Sequence, residues 1–153
     1  MSWIEYLFEK RPPLETAFSA CSTPQAVCRV VSHWIKASDR DETERRPLEE
    51  VWRRGWGDCD DLARLVEFGC ERIGIVAQVL WFYPMFKKHE KGHAITCGFN
   101  YAWYSSNADY ATRPPESSIN ETIARLQGWP AAWHVPAPAN NGRTFDAPTK
   151  EPR

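Results

Sequence analysis

The chain has 153 residues, of which 42% are hydrophobic and 13% aromatic, so its size and composition predict one folded domain with a single core. Nineteen basic and twenty acidic residues give a formal net charge of -1, which excludes a strongly basic surface for nucleic acid or an anionic membrane. We expect free thiols and a cytoplasmic location, because no signal peptide or membrane-spanning run is evident and the five cysteines lack the spacing of a disulfide framework.

A capping signal opens the first predicted helix. Thr23 offers a side-chain oxygen, and Pro24 suits the first helical position, where its missing N–H costs nothing. Apolar residues then recur with the spacing of one helix face, which predicts an amphipathic helix over residues 24–37. These residues are Val27, Val30, Val31 and Trp34. The charged stretch that follows has no apolar period and predicts an exposed loop.

A short helical turn is predicted next, at Pro47–Trp52. A Gly-Trp-Gly triplet ends that turn, and the apolar helical period then resumes. Gly74 falls where a left-handed C-cap is expected. The sequence therefore predicts a helix over about 59–73, with Cys59 in its first turn.

Extended segments dominate the second half. A buried strand is predicted at "IVAQVLWFY", and a basic loop at "PMFKKHEKG". An antiparallel hairpin is predicted from "HAITCGF" and "AWYSSN", with its turn near Asn100 and Tyr101. Ser118 and Glu121 form a capping box that opens a helix to about Leu126, and "WPAAWHV" predicts a last strand.

Helices that precede a series of neighbouring strands predict an α+β fold. We expect the N-terminal helices to pack on an antiparallel sheet. The predicted domain covers residues 1–136, and a Pro-rich tail covers residues 137–153.

The segment "GWGDCDDLA" places a cysteine at a loop-to-helix junction. A helix N-terminus favours a thiolate, because its unpaired N–H groups and its dipole stabilise negative charge. Asp58, Asp60 and Asp61 oppose a thiolate at Cys59, so a cationic partner is required. Cys59 is therefore the candidate nucleophile, with a histidine as its expected base.

His93 is the candidate base, because it begins a strand directly after a glycine. Asn107 ends the next strand, and the hairpin returns that strand end to the level of His93. A carboxamide there would accept the imidazole N–H and fix its tautomer. Asp109 would do the same with a full charge and is the alternative third member.

The residues that carry these features resemble a known superfamily. "PLEEVWRRGWGDCDDLARLVEFGCERIGI", followed by "HA" and "WYSSN", is similar to the transglutaminase-like cysteine peptidases, most of all their compact bacterial and phage branch. The resemblance covers about residues 47–109. It implies a papain-like core in which Cys59 is the nucleophile and His93 the base, with Asn107 where Asp is usual. The usual aromatic residue after His-Ala is replaced by Ile95.

An oxyanion hole would need the Cys59 N–H and one further donor. The sequence does not separate the candidates, which are Trp52, Trp56 and Gln25. In some relatives the acidic residues beside the cysteine hold calcium, which would here be Asp58 and Asp60. The simpler prediction is that these two cap the helix. No cofactor is expected.

These features predict a thiol-dependent hydrolase or acyl transferase, and first of all a cysteine peptidase that cleaves an amide bond of a protein or peptide through a Cys59 thioester. Transamidation, deamidation and N-acyl transfer share that intermediate and stay open. The alternative is a catalytically silent module of the same fold, such as a phage particle component or a protein that binds a host factor. Its candidate partner surface is Trp129 and Trp133. A bacterial or phage-infected cell is the implied setting.

Overall fold

The computed structural model describes residues 10–38, 45–85 and 91–138. The helices in these ranges are α1 Pro24–Trp34, α2 Leu48–Arg54, α3 Cys59–Arg72 and α4 Ile119–Gln127. The strands are β1 Lys36–Ala37, β2 Trp56–Gly57, β3 Ala77–Pro84, β4 His93–Gly98, β5 Trp103–Ser106, β6 Asp109–Thr112 and β7 Ala132–Pro136. Within these ranges no helix is both long enough and apolar enough to cross a membrane.

Five of the strands form one antiparallel sheet in the order β6-β5-β4-β3-β7. Strands β1 and β2 form a separate parallel pair. Helix α3 packs on one face of the sheet with α1 behind it, and α4 packs on the opposite face. The predicted α+β class and antiparallel sheet are therefore confirmed.

The sequence predicted the capping residues of α1 and α4 and the glycine that follows α3. Thr23 caps α1 by accepting the Ala26 N–H at 3.1 Å, and Ser118 caps α4 by accepting the Glu121 N–H at 3.1 Å. Gly74, just past α3, has φ +77°, the left-handed conformation that glycine adopts without strain. These contacts involve residues close in sequence, so the sequence is enough to predict them.

One helix end and one strand differ from the prediction. Helix α1 ends at Trp34 instead of residue 37, because Ile35 is extended (φ -121°, ψ 120°) and the chain continues into β1. After β5 the chain turns at Asn107 and Ala108 and pairs back as β6, a strand that the sequence pattern did not predict.

The predicted tail begins in contact with the domain. The Ala137 N–H donates to a β3 carbonyl at 3.0 Å, and the Pro138 carbonyl accepts from the Arg45 guanidinium at 2.8 Å. The remainder of the predicted tail, residues 139–153, lies outside the described residues, as do residues 86–90 of the predicted basic loop.

Helix α3 is the central helix of the core. It lies close to α1 because Gly69 has no side chain: a Cβ there would lie 2.6 Å from Val27 Cγ1 and 2.8 Å from the Phe18 ring. Such close approach brings the apolar faces of the two helices into one cluster, which includes Val31, Leu65 and Phe18.

A buried ionic network fixes the start of α3. Asp60 accepts hydrogen bonds from Arg45 Nε at 2.9 Å, Arg64 Nε at 3.1 Å and the Trp81 indole N–H at 2.9 Å. The side chains of Asp60, Arg45 and Arg64 are each 2–3% exposed. Asp61 pairs with Arg64 Nη2 at 2.6 Å. The network joins α3 to strand β3 and to the segment before α2.

Asp60→Asn should lower the free energy of unfolding by about 3–5 kcal/mol, because it leaves buried guanidinium charge uncompensated. Urea unfolding followed by circular dichroism measures this loss. Glu50→Gln is the control: it breaks the exposed Arg46–Glu50 pair, 3.9 Å apart, and should cost less than about 1 kcal/mol. Equal losses in the two variants would contradict the structural role of the network.

Candidate active site

Cys59 is the first residue of α3, as predicted. Asp58 is the N-cap: its Oδ1 accepts the Asp61 N–H at 2.9 Å, and its own N–H donates to Asp61 Oδ2 at 3.1 Å. This reciprocal pair is a capping box. The backbone N–H of Cys59, at the first helical position, has no acceptor within the helix, and an N–H at this position can bind an anion or a carbonyl oxygen.

The two glycines before Cys59 have backbone roles. Gly55 ends α2 in the left-handed conformation, with φ +82°. At Gly57 a Cβ would lie 2.6 Å from Asp61 Cβ, so only glycine lets Asp61 fold back into the capping box. The Gly-Trp-Gly triplet is therefore explained by the sharp junction between α2 and α3.

The Cys59 sulfur lies against the start of β4. It accepts the Ala94 N–H at 3.5 Å, and the side chain packs beside Ala63 and Trp81. Burial raises the pKa of the thiol to about 12, and the negative charge of Asp58 adds to the shift. The helix N-terminus does not offset this burial, so Cys59 is a neutral thiol at neutral pH.

His93 begins β4 and lies opposite Phe82 on β3. Its Nε2 is 2.8 Å from Ser106 Oγ at the end of β5. Burial lowers the pKa of the imidazole to about 4, so the ring is also neutral at neutral pH. Nδ1, the other ring nitrogen, is left to serve as a base.

Ser106, and not Asn107, contacts the His93 ring. Asn107 and Ala108 have φ values of 50° and 63° and form the two-residue turn between β5 and β6, with Asn107 exposed. Asparagine tolerates this left-handed conformation, which explains its presence at the turn. Asp109 begins β6, opposite Ser106, and is exposed. An asparagine directly after a strand is itself a turn signal, and it could have directed attention to the preceding residue.

The Cys59 sulfur and the His93 imidazole are thus both located at the start of β4. The sulfur contacts the backbone of Ala94, and the ring belongs to His93, its neighbour. Within the described ranges, no hydrogen bond joins the sulfur to the ring. The predicted nucleophile and base are brought to one strand end as two neutral groups.

The three oxyanion candidates occupy different settings. Trp52 is 3% exposed, and its indole N–H already donates to the Pro12 carbonyl at 2.7 Å. Gln25 is exposed in the first turn of α1. Trp56 lies three residues before Cys59 and is covered by a guanidinium whose Cζ is 3.8 Å from the ring centroid.

The calcium alternative is opposed by the partners of Asp60. Both of its oxygens accept hydrogen bonds, and the donors are two guanidinium groups and an indole N–H. Positive charge of this kind repels a divalent cation. Among the described residues, no group of three or more His, Cys, Asp or Glu side chains is arranged to hold a metal ion. Asp58 is engaged in the capping box, where burial and Asp61 raise its pKa to about 7.

The two tryptophans of the predicted partner surface are more buried than expected. Trp129 is 8% exposed and belongs to the core between α4 and the sheet. Trp133, on β7, is half-buried, with its ring centroid 4.7 Å from that of Tyr83. Trp129 therefore offers little area to a partner.

His93 should make folding stability depend on pH. The unfolded chain protonates this histidine near pH 6.5, whereas the folded chain does so only near pH 4. Between these values the unfolded state binds more protons, so stability falls as the pH falls. The unfolding free energy of the wild type should drop relative to His93→Gln by about 3 kcal/mol from pH 7 to pH 4. Urea titrations of both proteins test this, and a constant difference across that range would refute it.

Comparison of the chain with protein-family models, with curated proteins and with solved structures finds no match in any of the three. The function is therefore inferred from the contacts of Cys59, His93 and their neighbours.

Proposed function

We propose that this protein is a thiol-dependent hydrolase or acyl transferase with a papain-like, transglutaminase-like core, and first of all a cysteine peptidase. One observation carries the proposal. The Cys59 sulfur, at a helix N-terminus, is 3.5 Å from the N–H of the residue that follows His93, and the His93 ring is held by Ser106 at 2.8 Å. Nucleophile, base and orienting group thus come from three elements that meet at one end of the sheet.

The resting charges favour general-base catalysis. A half-buried thiol with a raised pKa and a half-buried imidazole with a lowered pKa do not form a stable ion pair. The proton therefore moves to His93 Nδ1 while the sulfur attacks the carbonyl carbon. This step needs the ring and the sulfur to approach each other on substrate binding, since catalytic contacts often tighten only in the complex.

Ser106 is compatible with the tautomer that this step requires, because its hydroxyl can accept a hydrogen bond as well as donate one. His93 must keep Nδ1 unprotonated to accept the thiol proton, so Nε2 carries the hydrogen and donates to Ser106 Oγ. A hydroxyl is a weaker acceptor than a carboxylate and places no negative charge beside the imidazole. Ser106 is thus a positioning residue, and it keeps the ring neutral until the proton arrives.

The remaining steps follow from the same two groups. The tetrahedral intermediate collapses as His93 returns the proton to the leaving amine, the C–N bond breaks and the acyl group stays on sulfur. Water then attacks the thioester with His93 again as base, which breaks the C–S bond and restores the thiol. An amine in place of water gives transamidation through the same intermediate.

A second candidate function is a catalytically silent binding or structural module. It is favoured by the neutral resting state, since the thiol pKa of about 12 and the imidazole pKa of about 4 differ from those of an activated pair. In that case Cys59 is a packed core thiol, and the protein acts by binding a partner.

Acylation with p-nitrophenyl acetate separates the two functions. We expect the wild type to gain one acetyl group, which peptide mapping by mass spectrometry places on Cys59, and we expect Cys59→Ala to lose that adduct. Cys21→Ala is the control, because it removes a partly exposed thiol outside the site and should leave the Cys59 adduct unchanged. A natively folded wild type that shows neither an adduct at Cys59 nor a release of p-nitrophenolate that depends on Cys59 would exclude the enzyme and favour the silent module.

Ser106→Ala should slow the acylation of Cys59 by about tenfold to a hundredfold, because the imidazole loses the group that orients it. Asn107→Gly is the matched comparison: it keeps the left-handed turn and should acylate at the wild-type rate. The measurement is the release of p-nitrophenolate in a stopped-flow instrument. The reverse order of the two variants would restore Asn107 as the third member.

A further inference from the structure

Two buried polar hydrogens in the apolar cluster that Cys59 packs against have no acceptor among the described residues. The Tyr83 hydroxyl and the Trp133 indole N–H are both buried and lack a hydrogen-bond partner in the described structure. Tyr83 is only 2% exposed. Both residues belong to the apolar cluster on the α3 side of the sheet, and Cys59 packs at the edge of that cluster. Buried donors without a partner oppose folding, so two of them in one place call for a functional explanation.

The register of β3 places Tyr83 just beyond the start of α3. The Trp81 indole reaches Asp60, in the first turn of that helix, at 2.9 Å. Tyr83 lies two residues further along the same face of β3, which is about 7 Å past Trp81. It therefore lies beyond the helix N-terminus, in the direction in which the first backbone N–H groups of α3, including that of Cys59, point.

The other side of Tyr83 contacts the segment that leads into His93. A Cβ on Gly92 would lie 2.7 Å from Tyr83 Cε1, so the ring packs directly against this glycine. Trp133 lies opposite Tyr83 in the β3–β7 register, and the two rings are in contact. Trp133 is half-buried, so the pair of donors lies just below the surface between the base and β7.

The Tyr83 hydroxyl and the Trp133 N–H are both suited to donate hydrogen bonds to an oxygen atom. An indole N–H only donates, and the phenol remains protonated because burial and the charge of Asp60 raise its pKa. Both oxygens of Asp60 already accept other hydrogen bonds. Asp60 therefore does not supply the acceptor, and donors without counter-charge suit a carbonyl oxygen that becomes negative during reaction.

We propose that the Tyr83 hydroxyl and the Trp133 N–H, together with the Cys59 N–H, bind the carbonyl oxygen of the acyl substrate and stabilise its oxyanion. This inference rests on the proposed function. As sulfur bonds to the carbonyl carbon, the π electrons move to oxygen, which accepts the three hydrogen bonds. When the leaving group departs with the electrons of its bond, the C=O bond forms again.

The test compares two reactions of the same thiol in the intact chain. Acylation by p-nitrophenyl acetate passes through an oxyanion, whereas alkylation by iodoacetamide occurs at a saturated carbon and does not. Tyr83→Phe should slow acylation of Cys59 by about 100-fold. Its alkylation should change by less than about twofold, since the intrinsic reactivity of the thiol is untouched. Trp133→Phe should act in the same direction.

Tyr104→Phe is the matched control. Tyr104 packs in the cluster on the α4 side of the sheet, so its hydroxyl is outside the Cys59 cluster and its loss should change neither rate. Tyr83→Phe should also raise the midpoint of thermal unfolding, because it removes a buried hydroxyl that has no partner. A gain in stability with a loss of acylation is a combination that a purely structural role of Tyr83 would not produce.

The outcomes separate this inference from the proposed function. If both variants acylate at the wild-type rate while Cys59→Ala does not acylate, the oxyanion role is overturned and the enzyme assignment stands. If acylation and alkylation fall together, the tyrosine acts on the thiol, which also overturns the inference. If the folded wild type does not acylate, both proposals fail. If Tyr83→Phe does not fold, the acylation and alkylation rates of Trp133→Phe are compared instead, and that result decides between the same outcomes.

Discussion

The carboxylate of Asp60 is the interaction on which the geometry of the site depends. It is buried between Arg45, Arg64 and Trp81, and so joins the first turn of α3 to strand β3 and to the segment before α2. Two guanidinium groups offset the desolvation of one carboxylate, and the indole N–H completes its hydrogen bonding. Because Cys59 is the preceding residue, this network also fixes where the sulfur meets β4.

That network has an electrostatic consequence for the neighbouring thiol. Burial raises the pKa of Cys59, the charges of Asp58 and Asp60 add to that shift, and burial lowers the pKa of His93. A site of this kind gains little from a resting thiolate. In the proposed enzyme, proton transfer to the imidazole and hydrogen bonds to the developing oxyanion occur only once substrate has entered. The unpartnered donors of Tyr83 and Trp133 agree with the oxyanion role proposed for them.

The sequence predicted best those features that depend on residues close in the chain. Thr23, Ser118 and Asp58 cap their helices as their positions predicted, and the turn at Asn100 and Tyr101 joins the predicted hairpin. Strand β6 was missed, because its residues become a strand only by pairing with β5. The partner of His93 was displaced by one residue for the same reason, since the exact position of the turn decides which side chain reaches the ring.

By itself the sequence determined the α+β order of elements, the helix that begins at Cys59 and the strand that begins at His93. Capping hydroxyls, glycines and apolar periods act over a few residues, so their meaning can be read without a fold. Only the tertiary structure decided that Ser106 holds the ring, that Asp60 belongs to a buried ionic network and that Tyr83 carries an unpaired hydroxyl. Each of these facts depends on contacts between segments distant in sequence, where burial and strand register set which atoms meet.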